Sequence, residues 1–400
     1  MKSLKELYRI GKGPSSSHTI GPERACKAFL QKNTAADSFE AVLYGSLAAT
    51  GDGHGTELIV KSVLPNAVVR CEKEPEGGLT HPNTMDLIAY TGGVKTDFMR
   101  VYSIGGGAIR IEDGAEDGGE EKYPLNSFEE IRKEIEKREM RLWEYALECE
   151  GEELFVYLAE VWRAMKTAIN EGLKADGVLP GGLGVERRAK TLYRQKHIDE
   201  SAETRENRLV CAYAFAVSEQ NASGGTIVTA PTCGACGVLP AVLKYAQERR
   251  GFTDEQIVRA LAAGGIVGNL IKTNASISGA ECGCQAEIGS ACCMAAAALG
   301  ELYEMEVGQI EYAAEIAMEH HLGLTCDPIR GLVQIPCIER NAVAAMRAMN
   351  AVSLANFLSD SRKISFDLVI RTMYETGRDL SRRYRETSEG GLAKLYKQGE

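Results

Sequence analysis

Apolar residues recur with two different spacings along this chain, and the change divides it into two parts. In the first part, short apolar or β-branched runs bounded by Gly, Asn or Asp predict strands at 40–43, 67–71, 97–102 and 108–111. Pro22 suits the first turn of a helix. A charged helix is predicted over 127–148, and the acidic, Gly-rich stretch 112–121 predicts an exposed loop. We therefore expect an α+β domain over residues 1–150.

In the second part the spacing is helical. Apolar side chains recur every three or four positions between Leu154 and Ile169, and alanine-rich segments follow. These segments lie at 257–271, 284–304, 309–320 and 340–358, and a further helical segment, which contains no alanine, is predicted at 364–385. Loops rich in Gly, Ser and Thr at 221–237 and 273–284 separate helices, and such loops are where a site is expected. We therefore predict an all-α domain over residues 151–400.

Composition and charge limit the class of protein. The chain has 400 residues, more than one typical core, so two domains are the default expectation. Its 46 Lys and Arg against 56 Asp and Glu give a net charge of −10, which argues against nucleic acid or an anionic membrane as the main partner. We expect no signal peptide and no membrane span, because no apolar run reaches about 18 residues. The 12 cysteines are then expected to be reduced thiols in the cytoplasm.

Three cysteines in the second part carry the clearest chemical signal. Cys284, Cys326 and Cys337 each lie near Gly or Pro, in stretches that predict a turn or a helix end. Three thiolates suit iron–sulfur ligation, and a [4Fe–4S] cluster held by three leaves one iron free for substrate. The spacing is only suggestive, because no compact Cys-x-x-Cys-x-x-Cys run is present. Cys233 and Cys236 form one Cys-x-x-Cys that redox or zinc chemistry could use, but no second pair exists and loop structure is favoured.

Six motifs stand in one order along the chain. They are GPSSSHTIGP from residue 13, GDGHGT from 51, YSIGGG from 102, TAPTCGACG from 229, NASISGA from 274 and GGLA from 390. Together with the segments around the three cysteines, they resemble the iron–sulfur-dependent L-serine dehydratases (L-serine ammonia-lyases). The likeness covers essentially the whole chain. It implies the single-chain form of that family, with a β-type domain fused to a helical catalytic domain.

The resemblance also implies a reaction and a cofactor. The reaction is conversion of L-serine to pyruvate and ammonia: the Cα proton and the β-hydroxyl leave, and the aminoacrylate formed tautomerises and hydrolyses. One [4Fe–4S] cluster per chain would be held by Cys284, Cys326 and Cys337 and would act as a Lewis acid. On the same basis we expect no pyridoxal phosphate, and a homodimer.

Residue types inside these segments suggest roles for individual side chains. His54 and His18 lie in loops marked by Gly or Pro and suit proton transfer near neutral pH, so we predict acid/base roles for them. Thr56 is predicted to position a proton or the substrate. The predicted substrate-binding residues are Ser15, Ser16, Ser17, Thr19, His81, Asn83, Asn274, Ser276, Ser278 and Arg340. Helix capping by the first three serines, a simple turn in the second serine-rich loop and a salt bridge of Arg340 are the alternatives.

Two departures from the family pattern matter. Family members often carry a cysteine shortly after GGLA that can fold back to the vacant iron, whereas the last cysteine here is Cys337. The region between Thr56 and His81 is shorter than in longer single-chain members, so an effector site carried there is expected to be altered.

Several alternatives stay open. The same machinery could act on L-threonine or L-cysteine. A non-enzymatic iron–sulfur sensor is a different class, for which this acidic chain lacks a basic patch. A zinc-binding structural protein is a third. For an enzyme, we predict that His54 and Cys284 approach one interdomain cavity.

Overall fold

We describe the protein from a computed structural model. The description covers residues 1–72, 74, 78–112, 114, 116–117, 119–195, 199–358 and 361–397. For residues 51, 52, 116 and 117 it covers the backbone alone.

A six-stranded sheet with three helices forms the region that we call the sheet region. Its elements are α1 (Gly21–Lys32), β2 (Ser38–Leu43), α2 (Gly45–His54), α3 (Thr56–Val63), β3 (Ala67–Cys71), β4 (Thr84–Thr91), β5 (Val94–Gly105), β6 (Ala108–Ile111) and β7 (Glu116–Asp117). A short strand, β1 (Ile10–Lys12), and a π-helical turn at Ser16–Ile20 precede them. The strand order is β3-β2-β4-β5-β6-β7, with β2 and β3 parallel and the other neighbours antiparallel.

The rest of the chain is a helical region. Its helices are α4 (Phe128–Lys137), α5 (Leu142–Glu150), α6 (Glu152–Gly172), α7 (Ala189–Arg194), α8 (Ala202–Ala222), α9 (Val238–Arg250), α10 (Asp254–Asn274), α11 (Gly279–Cys282), α12 (Ser290–Leu302), α13 (Val307–Glu319), α14 (Cys337–Leu358), α15 (Phe366–Asp379) and α16 (Gly391–Leu395). Between them lie strand β8 (Thr226–Val228), a π-helical turn at Gln285–Gly289, and 3₁₀ turns at Ile329–Gly331 and Arg382–Tyr384.

Small residues allow α12 to occupy the centre of the helical region. Every residue of α12 is buried, as expected for a helix that is apolar around its whole circumference. Gly264 of α10 lies so close that a Cβ there would come 2.6 Å from the carbonyl oxygen of Met294. The alanine-rich composition is therefore a packing requirement as well as a helix signal.

Buried apolar side chains form two clusters. The smaller one lies between the sheet and its helices and includes Phe29 and Phe39. The larger one fills the helical region and also takes in Leu4 and Tyr8 from the start of the chain. β1 pairs with β8, and Tyr8 donates a hydrogen bond to the Leu261 carbonyl. The first residues therefore pack against the helical region. The domain boundary at residue 150 stays a prediction.

The fold class is confirmed: a mixed α+β region precedes a helix-rich one. Several details differ from the sequence predictions, and the helix predicted over 364–385 ends at Asp379. The helix predicted over 127–148 is two helices, because the chain turns at Glu139, which has a φ of 53°. The α-helix predicted from 284 begins at Ser290, after the π-helical turn. The predicted loop at 112–121 contains β7, and residues 113, 115 and 118 of it lie outside the described residues.

In the described part of the chain, no helix is both long enough and apolar enough to cross a bilayer.

Candidate active site

Two of the three predicted cysteine ligands come together in neighbouring loops. The Sγ atoms of Cys284 and Cys326 and a carboxylate oxygen of Glu287 all lie within 4.8 Å of one another. Two hydrogen bonds join the loops: the Gln285 backbone N–H donates to the Leu324 carbonyl at 3.2 Å, and the Gly323 N–H donates to Oε1 of Gln285 at 2.9 Å. Chain segments about 40 residues apart are held side by side in this way.

Cys337 and Arg340 complete the thiol cluster from the first turn of α14. The guanidinium of Arg340 interacts electrostatically with all three thiols. A hydrogen bond from Cys326, together with Arg340, lowers the pKa of Cys284 to about 6. The shared hydrogen bond and burial raise the pKa of Cys326, and burial raises that of Cys337. The hydrogen bond and the charge of Arg340 therefore favour the thiolate form at Cys284 over the other two cysteines.

Arg340 also holds the Cys326 loop. It donates to the Thr325 carbonyl at 2.6 Å and forms an ion pair with Asp327 at 3.3 Å. The structural salt bridge considered from the sequence is therefore formed. A contact of Arg340 with the substrate carboxylate stays a prediction.

Glu287 adds a carboxylate that the sequence prediction missed. Burial and the negative charges of Glu386 and Cys284 raise its pKa well above the ordinary value. Glycines make room for it: a Cβ at Gly279 would lie 2.6 Å from its carboxylate and 3.1 Å from Sγ of Cys326, and one at Gly234 would lie 3.2 Å from the carboxylate. Both glycines belong to motifs quoted above, so their presence there has a steric cause.

His18 and His54 form a second buried cluster. Their ring centroids are 4.1 Å apart at 63°. Burial lowers the pKa of His18 to about 4, and burial together with the charge of His18 lowers that of His54 well below 6.5. Both rings are therefore neutral at physiological pH. Nε2 of His54 has no hydrogen-bond partner among the described residues.

A carboxylate from near the C-terminus links the histidines to the thiols. Oε1 of Glu386 lies 3.9 Å from Nδ1 of His18, and ligand atoms of His18, His54 and Glu386 lie within 4.8 Å of one another. Burial and the charge of Cys284 raise the pKa of Glu386 to about 8. Because Glu386 interacts with both sets of groups, the two clusters form one site.

Backbone pairing places Glu386 in the site. Its N–H donates to the Cys326 carbonyl at 2.9 Å, and the Cys326 N–H donates to the Tyr384 carbonyl at 2.8 Å. The φ of Glu386 is 55°, a left-handed conformation that costs a non-glycine residue about 1–3 kcal/mol. Glu386 is not among the residues predicted from the sequence, although it lies shortly before the GGLA motif.

Close packing also joins the histidine-bearing helix α2 to the turn between Cys326 and Cys337. A Cβ at Gly53 would lie 2.6 Å from the Arg330 carbonyl oxygen. Gly331, with a φ of 68°, lies so near that a Cβ there would be 3.0 Å from Cβ of Thr50. Helix α2 therefore faces the Cys326–Cys337 turn, while a cavity shared by His54 and Cys284 stays a prediction. The loops predicted for the two histidines are wrong in detail: His18 lies in a π-helical turn and His54 ends a helix.

The serine-rich first motif points into this site. Ser15 makes no capping hydrogen bond, and its hydroxyl lies 3.1 Å from Nδ1 of His18. Ser16 hydrogen-bonds to the thiol of Cys233, and Ser17 is buried. Thr19 donates to the carbonyls of Ser15 and Lys12, which makes it a support for the turn.

His81, Asn83 and Ser276 surround Glu281, three residues before Cys284. Nε2 of His81 is 3.4 Å from Oε1 of Glu281, and Ser276 donates to the other carboxylate oxygen. The Asn83 N–H donates to Nδ1 of His81 at 3.0 Å. This network places two predicted substrate residues, His81 and Asn83, beside the thiol-bearing loop.

Several buried polar atoms have no hydrogen-bond partner within the described ranges. Among them are Oγ1 of Thr56, Oδ1 of Asn83, Oγ of Ser103 and Oγ of Ser278, in addition to Nε2 of His54; others, such as Oη of Tyr145 and Oε2 of Glu301, belong to the helical region. An unsatisfied buried polar group costs about 1–3 kcal/mol, so such groups call for a ligand or a functional role. Four of the five residues named first were predicted from the sequence, and Ser103 lies in the quoted YSIGGG motif.

Asn274 is the predicted residue that the structure does not bring to the site. It is exposed at the end of α10, and its amide donates to the carbonyls of Asn126 at 2.7 Å and Leu270 at 3.0 Å. These bonds fasten the helix end to the segment before α4. A structural role explains its presence in the NASISGA motif.

A polar cleft of about 570 Å³ opens beside the site, between the sheet region and the helical region. Ser46, His81 and Glu281 line its inner side, and Arg378, Arg382 and Arg385 line the helical side. Arg385 immediately precedes Glu386 and donates to the Glu281 carbonyl. Glu74 also lines the cleft and lies 3.8 Å from Arg382, so the lining offers three arginines and two carboxylates to a charged molecule.

The residues present fit an iron–sulfur group. Thiolate sulfur is the ligand such clusters use, and three cysteines interact here around one arginine. The two glycines at 234 and 279 keep the space next to Glu287 and Sγ of Cys326 free of a Cβ.

Comparisons with known proteins agree with this geometry. The profile of the serine dehydratase alpha chain matches residues 105–393, and that of the serine dehydratase beta chain matches residues 3–70. Three L-serine dehydratases are similar along 98% of this chain: one from Streptomyces coelicolor (42% identity, 98% of that protein), one from Haemophilus influenzae (41%, 99%) and L-serine dehydratase 2 from Escherichia coli (40%, 98%).

These alignments extend over 446 to 452 positions, whereas the chain has 400 residues, so the relatives carry additional residues. The shortening between Thr56 and His81 stays a prediction, because the alignment lengths do not locate the additional residues. With similarity of this extent and both profiles present in one polypeptide, the chain belongs to the serine dehydratase family, in the form that fuses the beta-chain and alpha-chain regions.

Proposed function

We propose that the protein is a [4Fe–4S]-dependent lyase that deaminates L-serine to pyruvate and ammonia. The observation that carries the proposal is the meeting of three cysteine thiols with a pair of buried, neutral histidines around Glu386. The names of the relatives supply the substrate. By the same resemblance, we propose a cytoplasmic homodimer.

Cys284, Cys326 and Cys337 would hold the cluster. When bound, it would supply a Lewis acid that eases departure of the β-hydroxyl, a contribution of several kcal/mol. Arg340 favours the thiolate form needed for ligation, because its charge lies beside all three sulfur atoms.

The protein's own groups would move the proton. His54 is neutral, and its Nε2 is a base with no partner within the described chain. In the elimination, Nε2 takes the Cα proton, and the C–H electron pair becomes the Cα=Cβ bond. The Cβ–O bond breaks, and its electron pair leaves with the oxygen. General-base assistance of this kind contributes about 10²–10⁴-fold to a rate.

Substrate orientation would fall to the buried groups without partners. The side chains of Thr56, Asn83 and Ser278 offer hydroxyls and an amide oxygen that are already desolvated. A serine carboxylate accepts hydrogen bonds from hydroxyls, and its ammonium donates to the amide oxygen. The arginine-lined cleft would attract the carboxylate before binding.

Anaerobic reconstitution followed by a pyruvate assay tests the proposal. We expect reconstituted protein to release pyruvate from L-serine, with a higher kcat/KM than for L-threonine or L-cysteine. Activity should fall as the sample is exposed to air, in step with loss of the iron–sulfur absorbance. A higher kcat/KM for L-threonine or L-cysteine would assign that amino acid as the substrate of the same elimination reaction. Full activity in colourless, air-exposed protein would contradict the cluster, and zinc without sulfide would favour a structural metal site.

A further inference from the structure

Thr50 lies between the two buried histidines. Its Oγ1 is 2.9 Å from Nε2 of His18, 3.2 Å from Nδ1 of His54 and 2.8 Å from the carbonyl oxygen of Ser46. One hydroxyl therefore contacts both imidazoles. The proton positions in this small network decide which nitrogen of His54 has a free lone pair.

The proton of His18 can be assigned from its neighbours. Nε2 of His18 faces the Ser46 carbonyl at 3.3 Å, which can only accept. The Ser46 hydroxyl, 3.4 Å from the same nitrogen, donates its own proton to the Glu386 carbonyl at 2.8 Å and so can only accept from His18. Nε2 of His18 is therefore the protonated nitrogen, and Nδ1 accepts from the Ser15 hydroxyl. His18 thus donates to Thr50.

Thr50 has one proton to give. Its shorter contact is to the Ser46 carbonyl one helical turn earlier, a bond that threonine commonly makes in helices. With the proton committed there, the oxygen presents lone pairs to both rings, and Nδ1 of His54 must donate. A neutral imidazole carries a single ring proton, so Nε2 of His54 is left with its lone pair. This is the nitrogen without a partner in the described chain.

We propose that Thr50 is a positioning residue that holds His54 in the Nδ1-protonated tautomer and so keeps Nε2 available as the base. The proposal rests on the proposed function for the identity of the substrate. The tautomer itself is a property of the free protein and is measurable without substrate. Among the side chains that the structure describes, the ionisable groups that face His54 are His18 and Glu386.

Proton–nitrogen correlation NMR on protein labelled with ¹⁵N in histidine tests the tautomer directly, because the two ring nitrogens have different shifts in each tautomer. The His54 signals are assigned by their loss in His54→Gln. At pH 7 we expect the Nδ1-protonated form in the wild type and a shift toward the other tautomer in Thr50→Val, which replaces the hydroxyl with a methyl group. Thr50→Ser should restore the wild-type pattern. An Nε2-protonated His54 in the wild type would overturn the proposal, whatever the variants do.

Kinetics give the second readout. Thr50→Val should lower kcat on the order of 10–100-fold, the usual effect of losing a group that orients a functional histidine, with little change in KM, and Thr50→Ser should recover most of it. Thr372→Val is the control, because Thr372 makes the same bond to a carbonyl one turn earlier but lies on an exposed helix face. An unchanged tautomer and an unchanged kcat in folded Thr50→Val would also overturn the proposal. Failure of the wild type to deaminate serine, with the tautomer pattern as expected, would count against the proposed function and support the role of Thr50.

Discussion

Replacement of Cys326 with alanine is expected to remove the cluster and reduce pyruvate formation by more than about 100-fold, since even partners that merely orient metal ligands are worth 10–100-fold. Cys326 interacts with Cys284 through a thiol hydrogen bond, and no other described cysteine lies in its loop. Iron and acid-labile sulfide per chain, measured after anaerobic reconstitution, should both fall together with activity.

Cys292→Ala is the matched control. Cys292 is equally buried, but its thiol donates to the Ala344 carbonyl inside the helical core. This variant should keep its iron, its sulfide and its activity, apart from a modest loss of stability. Wild-type iron content in Cys326→Ala would show that the cluster has other ligands.

His54→Gln is expected to lower kcat by about 10²–10⁴-fold while leaving iron, sulfide and KM close to the wild type. The amide is similar in size but cannot take a proton near neutral pH. His321→Gln is the control, because His321 is also buried with its pKa lowered to about 4, but its Nδ1 contacts the Ala317 carbonyl. Retention of wild-type kcat in His54→Gln would exclude His54 as the base.

If His54 is the base, the direction in which activity changes with pH follows from its pKa. Burial and His18 lower the pKa of His54, so the ring stays unprotonated as the pH falls below 6.5. Activity should therefore be lost only as the pH passes through this lowered pKa, and the acid limb of kcat/KM should lie below pH 6.5. An acid limb above that value in the wild type would point to another group as the base.

The sequence predicted much of the helical region, because its signals are local, but no segment was predicted for α7, α8 or α9. Helical spacing and alanine content are properties of short windows, and α10, α13 and α14 follow them closely. β4 was not predicted, since most of its residues are buried on both faces and show no alternation. The turn at Glu139 carries neither Gly nor Pro, so nothing local marks the break between α4 and α5.

The residues of the candidate site also differ in whether the local sequence marks them. The motifs selected His18, His54 and the three cysteines, and the structure brings these side chains close to one another. Glu386 was missed because its burial depends on pairing with Cys326, 60 residues earlier. Thr50 was missed since a threonine within a helix has no local signal, and its role follows from the two rings that contact it. Asn274 is the opposite case: it was predicted from a motif, but its amide donates to the Asn126 carbonyl at the end of α10, away from the site.

The dependence of activity on metal content tests the central claim most directly. Samples reconstituted without oxygen to different extents should release pyruvate from L-serine in proportion to their iron and acid-labile sulfide, up to about four of each per chain. Protein that contains neither and still deaminates L-serine at the full rate would contradict the account.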